Sequence, residues 1–173
     1  MAAWIVLAVV AVLALAGWAY HTANRLDRLN VRVDLARKSL ESSLDRRAVV
    51  VRAIAAEMDA AATTDDEKAA ARDLAALADR AERAAPETRE DAENALSVGL
   101  ARTGAHQRSQ ALVVELADAE TRVMMARRFY NDAVRDTRAL GERRLVRWLR
   151  LGGRAPLPTY FEIIERVTPE RQK

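Results

Sequence analysis

Few side chains in this 173-residue sequence are of types that do chemistry near neutral pH. His21 and His106 are the two groups able to exchange a proton there or to hold a transition metal. They lie far apart in the chain, and neither has a second histidine at metal-ligand spacing. The absence of cysteine excludes disulfides, thiolate zinc sites, iron–sulfur clusters and a cysteine nucleophile. No serine stands in the context of a nucleophile elbow, and no glycine-rich loop is present to cradle a phosphate. The adjacent carboxylates Asp65 and Asp66 sit where a helix begins, so their charge is better used against the helix dipole than in acid–base catalysis. No catalytic, cofactor-binding or metal-ligating set is therefore expected, and the chain reads as a non-enzyme. Arginines outnumber lysines 25 to 3, which raises nucleic acid as a partner. The 25 interleaved acidic residues and an aromatic content of 5% argue against it.

The elements that must carry these residues are helices. Half of the residues are hydrophobic, many of them alanine, and with leucine, arginine and glutamate these are the strongest helix formers. The predicted class is all-α: an N-terminal transmembrane helix, then an antiparallel bundle of about four helices, closed by a short C-terminal amphipathic helix and tail. The expected parts are an anchor over 1–22, a bundle over 23–141, and a basic amphipathic helix with an apolar hook over 142–173.

Ala2 to Tyr20 contains no charge, with Trp4 near one end and Trp18 and Tyr20 near the other. A helix of that length spans roughly 28 Å, close to the hydrocarbon thickness, and the aromatics stand where interfacial belts form. Ala14-Leu15-Ala16 resembles a signal-peptidase site, but the run lacks the basic leader that a signal peptide carries. A soluble core helix without a polar face is the third reading. Arg25, Arg28, Arg32, Arg37 and Lys38 follow the span closely. By the positive-inside rule the short N-terminus is expected outside and the body in the cytoplasm. A reporter fused at Lys173 that responds only on the outer side would overturn this orientation.

From Leu26 the apolar positions run Leu26, Leu29, Val33, Ala36 and Leu40, and after a skip of four resume as Leu44, Ala48, Val51, Ala55 and Met58. Steps of three and four predict one long helix with a single inward stripe. Thr64-Asp65-Asp66-Glu67 has the capping-box pattern and starts a second helix, with Leu74 and Leu77 inward, that ends before Pro86. A third is predicted from about Pro86 to Arg102. The fourth keeps a heptad rhythm through Leu112, Leu116, Ala119, Val123, Ala126, Tyr130, Ala133 and Leu140, broken only at Thr137.

Charge is unevenly distributed. Residues 21–56 hold eight basic and four acidic groups, 57–95 five and twelve, and 96–173 fifteen and nine. In the tail, Arg143, Arg147 and Arg150 fall on one side of a helical wheel drawn over 142–151, with Leu145, Val146, Trp148 and Leu149 opposite. Two uses fit: packing on the base of the bundle, or lying in the headgroup layer with arginines near anionic lipid. Beyond the glycines and prolines that follow, Pro158 to Ile164, with Tyr160 and Phe161, is expected to fold back as an apolar hook.

The near-N-terminal anchor is followed by Asn24-Arg25-Leu26, Leu44-Asp45-Arg46-Arg47, Glu120, the block Ala126-Arg127-Arg128-Phe129-Tyr130-Asn131-Asp132-Ala133-Val134, and Tyr160-Phe161-Glu162. In that order and spacing the chain resembles the LemA family of bacterial membrane-anchored helical proteins. The resemblance covers the anchor, the first and fourth helices and the tail. It departs where the family carries Trp near Arg37 and Pro-Asn at Arg52-Ala53. It implies an antiparallel helical bundle, an outside-in topology in the bacterial inner membrane, and no established enzymatic activity. The matched residues Arg46, Arg47, Glu120, Arg127, Tyr130, Asn131, Tyr160 and Phe161 fit either structural parts of the bundle or a docking site for a partner. The expected role is a non-catalytic scaffold or adaptor that holds a protein partner or further copies of itself, with no cofactor. The other reading is a signalling component that transmits through the continuous anchor and first helix.

Overall fold

With no proline before Pro86 and a single glycine, Gly17, in that stretch, nothing in the first half of the chain opposes helix beyond local turn signals. In the computed structural model, which describes residues 1–104, 108–153 and 156–163, α1 runs unbroken from Ala2 to Ala61. It is followed by α2 (Asp65–Arg83), α3 (Arg89–Arg102), α4 (Gln110–Gly141) and the short α5 (Arg144–Trp148). All regular structure among the described residues is helical, and the helices form a bundle. The first part of α1 is long and apolar enough to cross a membrane. Its large side chains, Trp4, Ile5, Leu7, Val10 and Leu13 among them, are exposed.

The described residues divide into two compact units, one of 1–38 with 128–160 and the other of 39–127 with 161–163. The second unit holds the larger core: Val50, Val51, Ile54 and Ala55 of α1 meet Leu74, Ala78 and Ala81 of α2, Leu96 and Leu100 of α3, and Leu116 and Ala119 of α4. Alanine brings α2 and α3 close together. At Gly99 an added methyl group would come against the terminal methyl of Leu77 across that contact, so the Leu77 side chain would have to shift to admit it. The first unit is built on Leu26, Leu140 and Val146, with Leu29 and Leu151 packed alongside. In it α1 and α4 pair in opposite order, Arg32 with Asp136 (3.0 Å) and Arg37 with Tyr130 (3.3 Å).

The stripe predicted on the first helix is the one that packs: Leu26, Val33, Leu40, Leu44, Ala48, Val51 and Ala55 are buried. The rhythm of α4 likewise corresponds to buried Leu116, Ala119, Val123, Ala126, Tyr130, Ala133 and Leu140. Thr137, the apparent break, is itself buried, because its hydroxyl donates to the Ala133 carbonyl at 2.8 Å and leaves no unsatisfied group.

The capping box at α2 is complete. Thr64 accepts from the Glu67 N–H, and the Glu67 carboxylate accepts from the Thr63 and Thr64 N–H groups at 2.7 and 3.0 Å. The backbone bond from Thr63, then that from Thr64, holds the Glu67 carboxyl below its ordinary pKa. Its contribution is thus present above the unfolded carboxylate range and is lost as pH falls through the lowered value. Thr64→Ala is expected to cost about 1 kcal/mol, read as a lower urea midpoint at unchanged slope.

Two predicted elements differ from those observed. The third helix begins at Arg89, three residues later than expected, because Pro86, Glu87 and Thr88 form a turn in which the Thr88 N–H donates to the Ala85 carbonyl. The amphipathic helix predicted over 142–151 is only Arg144–Trp148. It is stopped by a Schellman cap, with the Leu151 N–H on the Val146 carbonyl, the Arg150 N–H on the Arg147 carbonyl, and Arg150 at φ 52° between them.

Candidate functional site

The most concentrated polar chemistry is buried in the second unit. Glu93 of α3 has no exposed surface, and its carboxylate lies between two buried guanidiniums. Arg47 of α1 donates to Oε2 at 2.5 Å, and Arg89, one turn earlier on α3, donates to Oε1 at 3.1 Å. Arg47 also reaches the Glu93 carbonyl and the Ser97 hydroxyl, at 3.2 and 3.3 Å. Arg89 extends to Asp45 at the rim, 2.7 Å away, which brings the four charges to zero. Burial pulls the Arg89 guanidinium down, but the Asp45 hydrogen bond and the charge of Glu93 outweigh this and hold its pKa above the ordinary value. Arg47 Nε is buried without a hydrogen-bond partner.

Such a cluster, with both carboxylate oxygens occupied by arginines, offers no free base and no room for a substrate. Its physical effect is to fix the register of α1 against α3. Among the described residues no three His, Cys, Asp or Glu side chains gather as metal ligands. A shallow groove of about 810 Å³ between α2 and α3 is walled by alanines such as Ala76, Ala92 and Ala95.

Of the residues singled out in the sequence, Arg47 belongs to this cluster. Arg46, beside it, is exposed and ion-pairs with Glu115 of α4. Arg52, farther along α1, pairs with Glu82 and Asp79 of α2. Glu120 and Arg127 are half-buried on α4. Arg89 and Glu93 were not singled out. Their signal is spacing: Arg89, Glu93, Leu96 and Leu100 step by four, three and four, so the two charged residues occupy core positions of the α3 stripe.

In the first unit Tyr130 is the centre of a second group. Its ring is buried, the Arg37 guanidinium lies 5.8 Å from the ring centroid and donates to the hydroxyl, and the hydroxyl donates to the Thr159 carbonyl at 2.9 Å. Asn131, the next residue, is half-buried. Arg138 donates to the Pro158 carbonyl and stands over the Tyr160 ring at 5.9 Å. Leu157 lies so close to α4 that a side chain at Gly141 would come within 2.7 Å of it. The segment 156–160 is thus tied to this unit by backbone and ring contacts. In the second unit the Glu162 N–H donates to Glu90, and Phe161 is half-buried. His106 and Ile164 lie outside the described residues.

The end of α5 differs from the wheel drawn on the sequence. Val146 turns inward, whereas Leu145 and Trp148 are 55% and 79% exposed. Five residues make too short a helix to keep one face, and the Schellman turn carries Leu151 in beside Val146, as that motif's hydrophobic contact requires. Arginine at the left-handed position is strained by about 1–2 kcal/mol relative to a right-handed conformation. Arg150→Gly is therefore expected to raise stability by about 1 kcal/mol, read as a higher thermal midpoint.

No family model, no curated protein and no solved structure matches this chain.

Proposed function

We propose that this chain is a LemA-like, single-pass protein of the bacterial inner membrane, with its N-terminus outside and an antiparallel helical bundle in the cytoplasm. The bundle acts as a non-catalytic scaffold or adaptor that holds further copies of itself or a partner protein. The observation that carries this reading is the set of large apolar side chains the bundle leaves uncovered. On α4 of the second unit, Val114, Met124 and Met125 are 51–60% exposed although the same helix buries a separate seam. In the first unit Val31, Leu35 and Phe129 are exposed as well. The adjacent Met124 and Met125 are the side chains that support it most, because methionine suits adaptable protein contacts. Anchoring supplies the rest: confinement to a surface raises effective concentration, so modest helix contacts suffice.

Because the chain contains no cysteine, Met125→Cys introduces a single thiol. In native membranes this thiol is expected to be shielded from a soluble maleimide and to cross-link to a second copy or to one defined protein. Labelling as fast as in the detergent-solubilised monomer, with no cross-link, would overturn the proposal.

The second reading, a transmitter, is favoured by one feature, the absence of any break in α1 between the apolar segment and the bundle. A helix-breaking insertion at Asn24 separates the two. It abolishes the action of a transmitter and leaves that of a tethered scaffold intact.

A further inference from the structure

We infer that α5 and its cap form an interfacial foot, which seats Trp148 and Leu145 among anionic lipid headgroups beside the point where α1 leaves the bilayer. The inference rests on the reading of Ala2–Tyr20 as a membrane span, and it assigns the tail to the headgroup layer as well as to the bundle.

Position comes first. Val146 packs on Leu26, and the turn after α5 is so close that a side chain at Gly152 would come within 2.9 Å of Leu26. Leu26 lies six residues beyond Tyr20, so α5 sits about 9 Å along α1 from the aromatic end of the span. The headgroup layer on each side of a bilayer is roughly 5–8 Å thick, so a tryptophan on the outer side of α5 can reach it.

Chemistry comes second. Leu145 and Trp148, three residues apart on α5, are both exposed, and Trp148 has a larger exposed fraction than any other large apolar residue among the described residues outside the N-terminal segment. Tryptophan flanked by arginine is the composition of an interfacial contact. Arg25, Arg28, Arg143, Arg144, Arg147 and Arg150 are all exposed, and none of them is ion-paired among the described residues. By contrast, Arg32 and Arg138 are exposed or half-exposed in the same unit and have found carboxylates. Exposed guanidiniums on the helix that carries an exposed indole and at the end of the apolar segment, without carboxylate partners among the described residues, fit a surface of phosphates better than the apolar face of a protein partner.

Backbone strain is the third observation. The Schellman cap that turns Leu151 inward needs a left-handed residue, for which glycine serves best, and the chain places Arg150 there. Arg150 is exposed at that position.

The test uses the full chain in phosphatidylcholine vesicles with brominated acyl chains, with and without phosphatidylglycerol. In W4F/W18F, Trp148 is the sole tryptophan, and in W4F/W148F, Trp18 is. The expected result is that Trp18 is quenched by bromine in both lipids, whereas Trp148 is quenched and shielded from acrylamide chiefly with phosphatidylglycerol. Adding R143Q, R147Q and R150Q lowers the docked-to-undocked ratio of Trp148 by about fivefold for each arginine replaced. Quenched Trp18 with a Trp148 open to acrylamide in both lipids would overturn the foot and leave the span standing. Equal quenching of Trp148 in neutral and anionic lipid would overturn the anionic recognition. Shielding of Trp148 only when a second protein co-purifies would assign the face to that protein instead. Unquenched Trp18 would overturn the span and the foot together.

Discussion

Glu93→Ala is expected to lower stability by about 3–5 kcal/mol, the cost of leaving buried cations without their counter-charge. Two guanidiniums, from Arg47 and Arg89, point at the place that carboxylate occupies, and only Asp45 at the rim would remain to balance them. Glu93→Gln keeps the shape and one acceptor, but it removes the same counter-charge and turns an amide donor toward one of the two guanidiniums, so its expected cost is also about 3–5 kcal/mol. Replacing Arg47, Arg89 and Glu93 together by Met, Met and Leu is expected to be neutral or stabilising, because the desolvation of all three charges disappears with them. The full chain in detergent, unfolded in urea and followed by far-ultraviolet circular dichroism, gives all three values. A triple variant less stable than Glu93→Ala would show that the cluster contributes through attraction rather than through the cost of its unpairing.

Tyr130→Ala is expected to have the next largest effect, about 3–5 kcal/mol for the loss of a buried aromatic side chain. It also removes two ties at once, since the hydroxyl joins Arg37 of α1 to the Thr159 carbonyl of the tail. Tyr130→Phe keeps the ring and its contact with the Arg37 guanidinium, so about 1 kcal/mol is the expected cost. The two variants differ in what they do to the chain after α5. Hydrogen exchange across Leu157 to Phe161 should quicken modestly in Tyr130→Phe and strongly in Tyr130→Ala. Unchanged exchange in Tyr130→Ala would mean that Arg138, through the Pro158 carbonyl and the Tyr160 ring, holds the segment without help.

What the sequence made legible was local periodicity. The stripe from Leu26 to Met58 and the rhythm from Leu116 to Leu140 are read directly from spacing, because each helix buries one side along its length. The cap at Thr64 was legible for the same reason, since its partners are three residues apart. Glu93 was hidden because a glutamate on an amphipathic helix reads as solvated. Only its place in the Arg89-Glu93-Leu96-Leu100 progression marks it as inward, and its partner Arg47 is distant in sequence. The tail was misjudged in extent and direction for a related reason. A wheel assumes a helix long enough to have faces, and the Schellman turn at Arg150 ends α5 before that assumption applies. The role of Gly141 depends on a contact with Leu157 that no local pattern announces.

Charge follows the same division. The acidic residues of α2 were visible as a block, but their pairing was not: Glu82 and Asp79 meet Arg52, and the Arg52 hydrogen bond holds the Glu82 carboxyl below its ordinary pKa. The arginines around α5 were visible too. That they have no carboxylate partner among the described residues, while Arg32 and Arg138 do, emerges only when the helices are assembled.

The proposed role requires that the bundle hold other protein. The most direct measurement is the mass of the particle extracted from native membranes in mild detergent, by light scattering with identification of every chain present. The account predicts either a defined multiple of 19.2 kDa or one foreign protein in stoichiometric amount, and loss of that association when Met124 and Met125 are replaced by lysine. A lone 19.2 kDa chain, unaffected by those replacements, would contradict it.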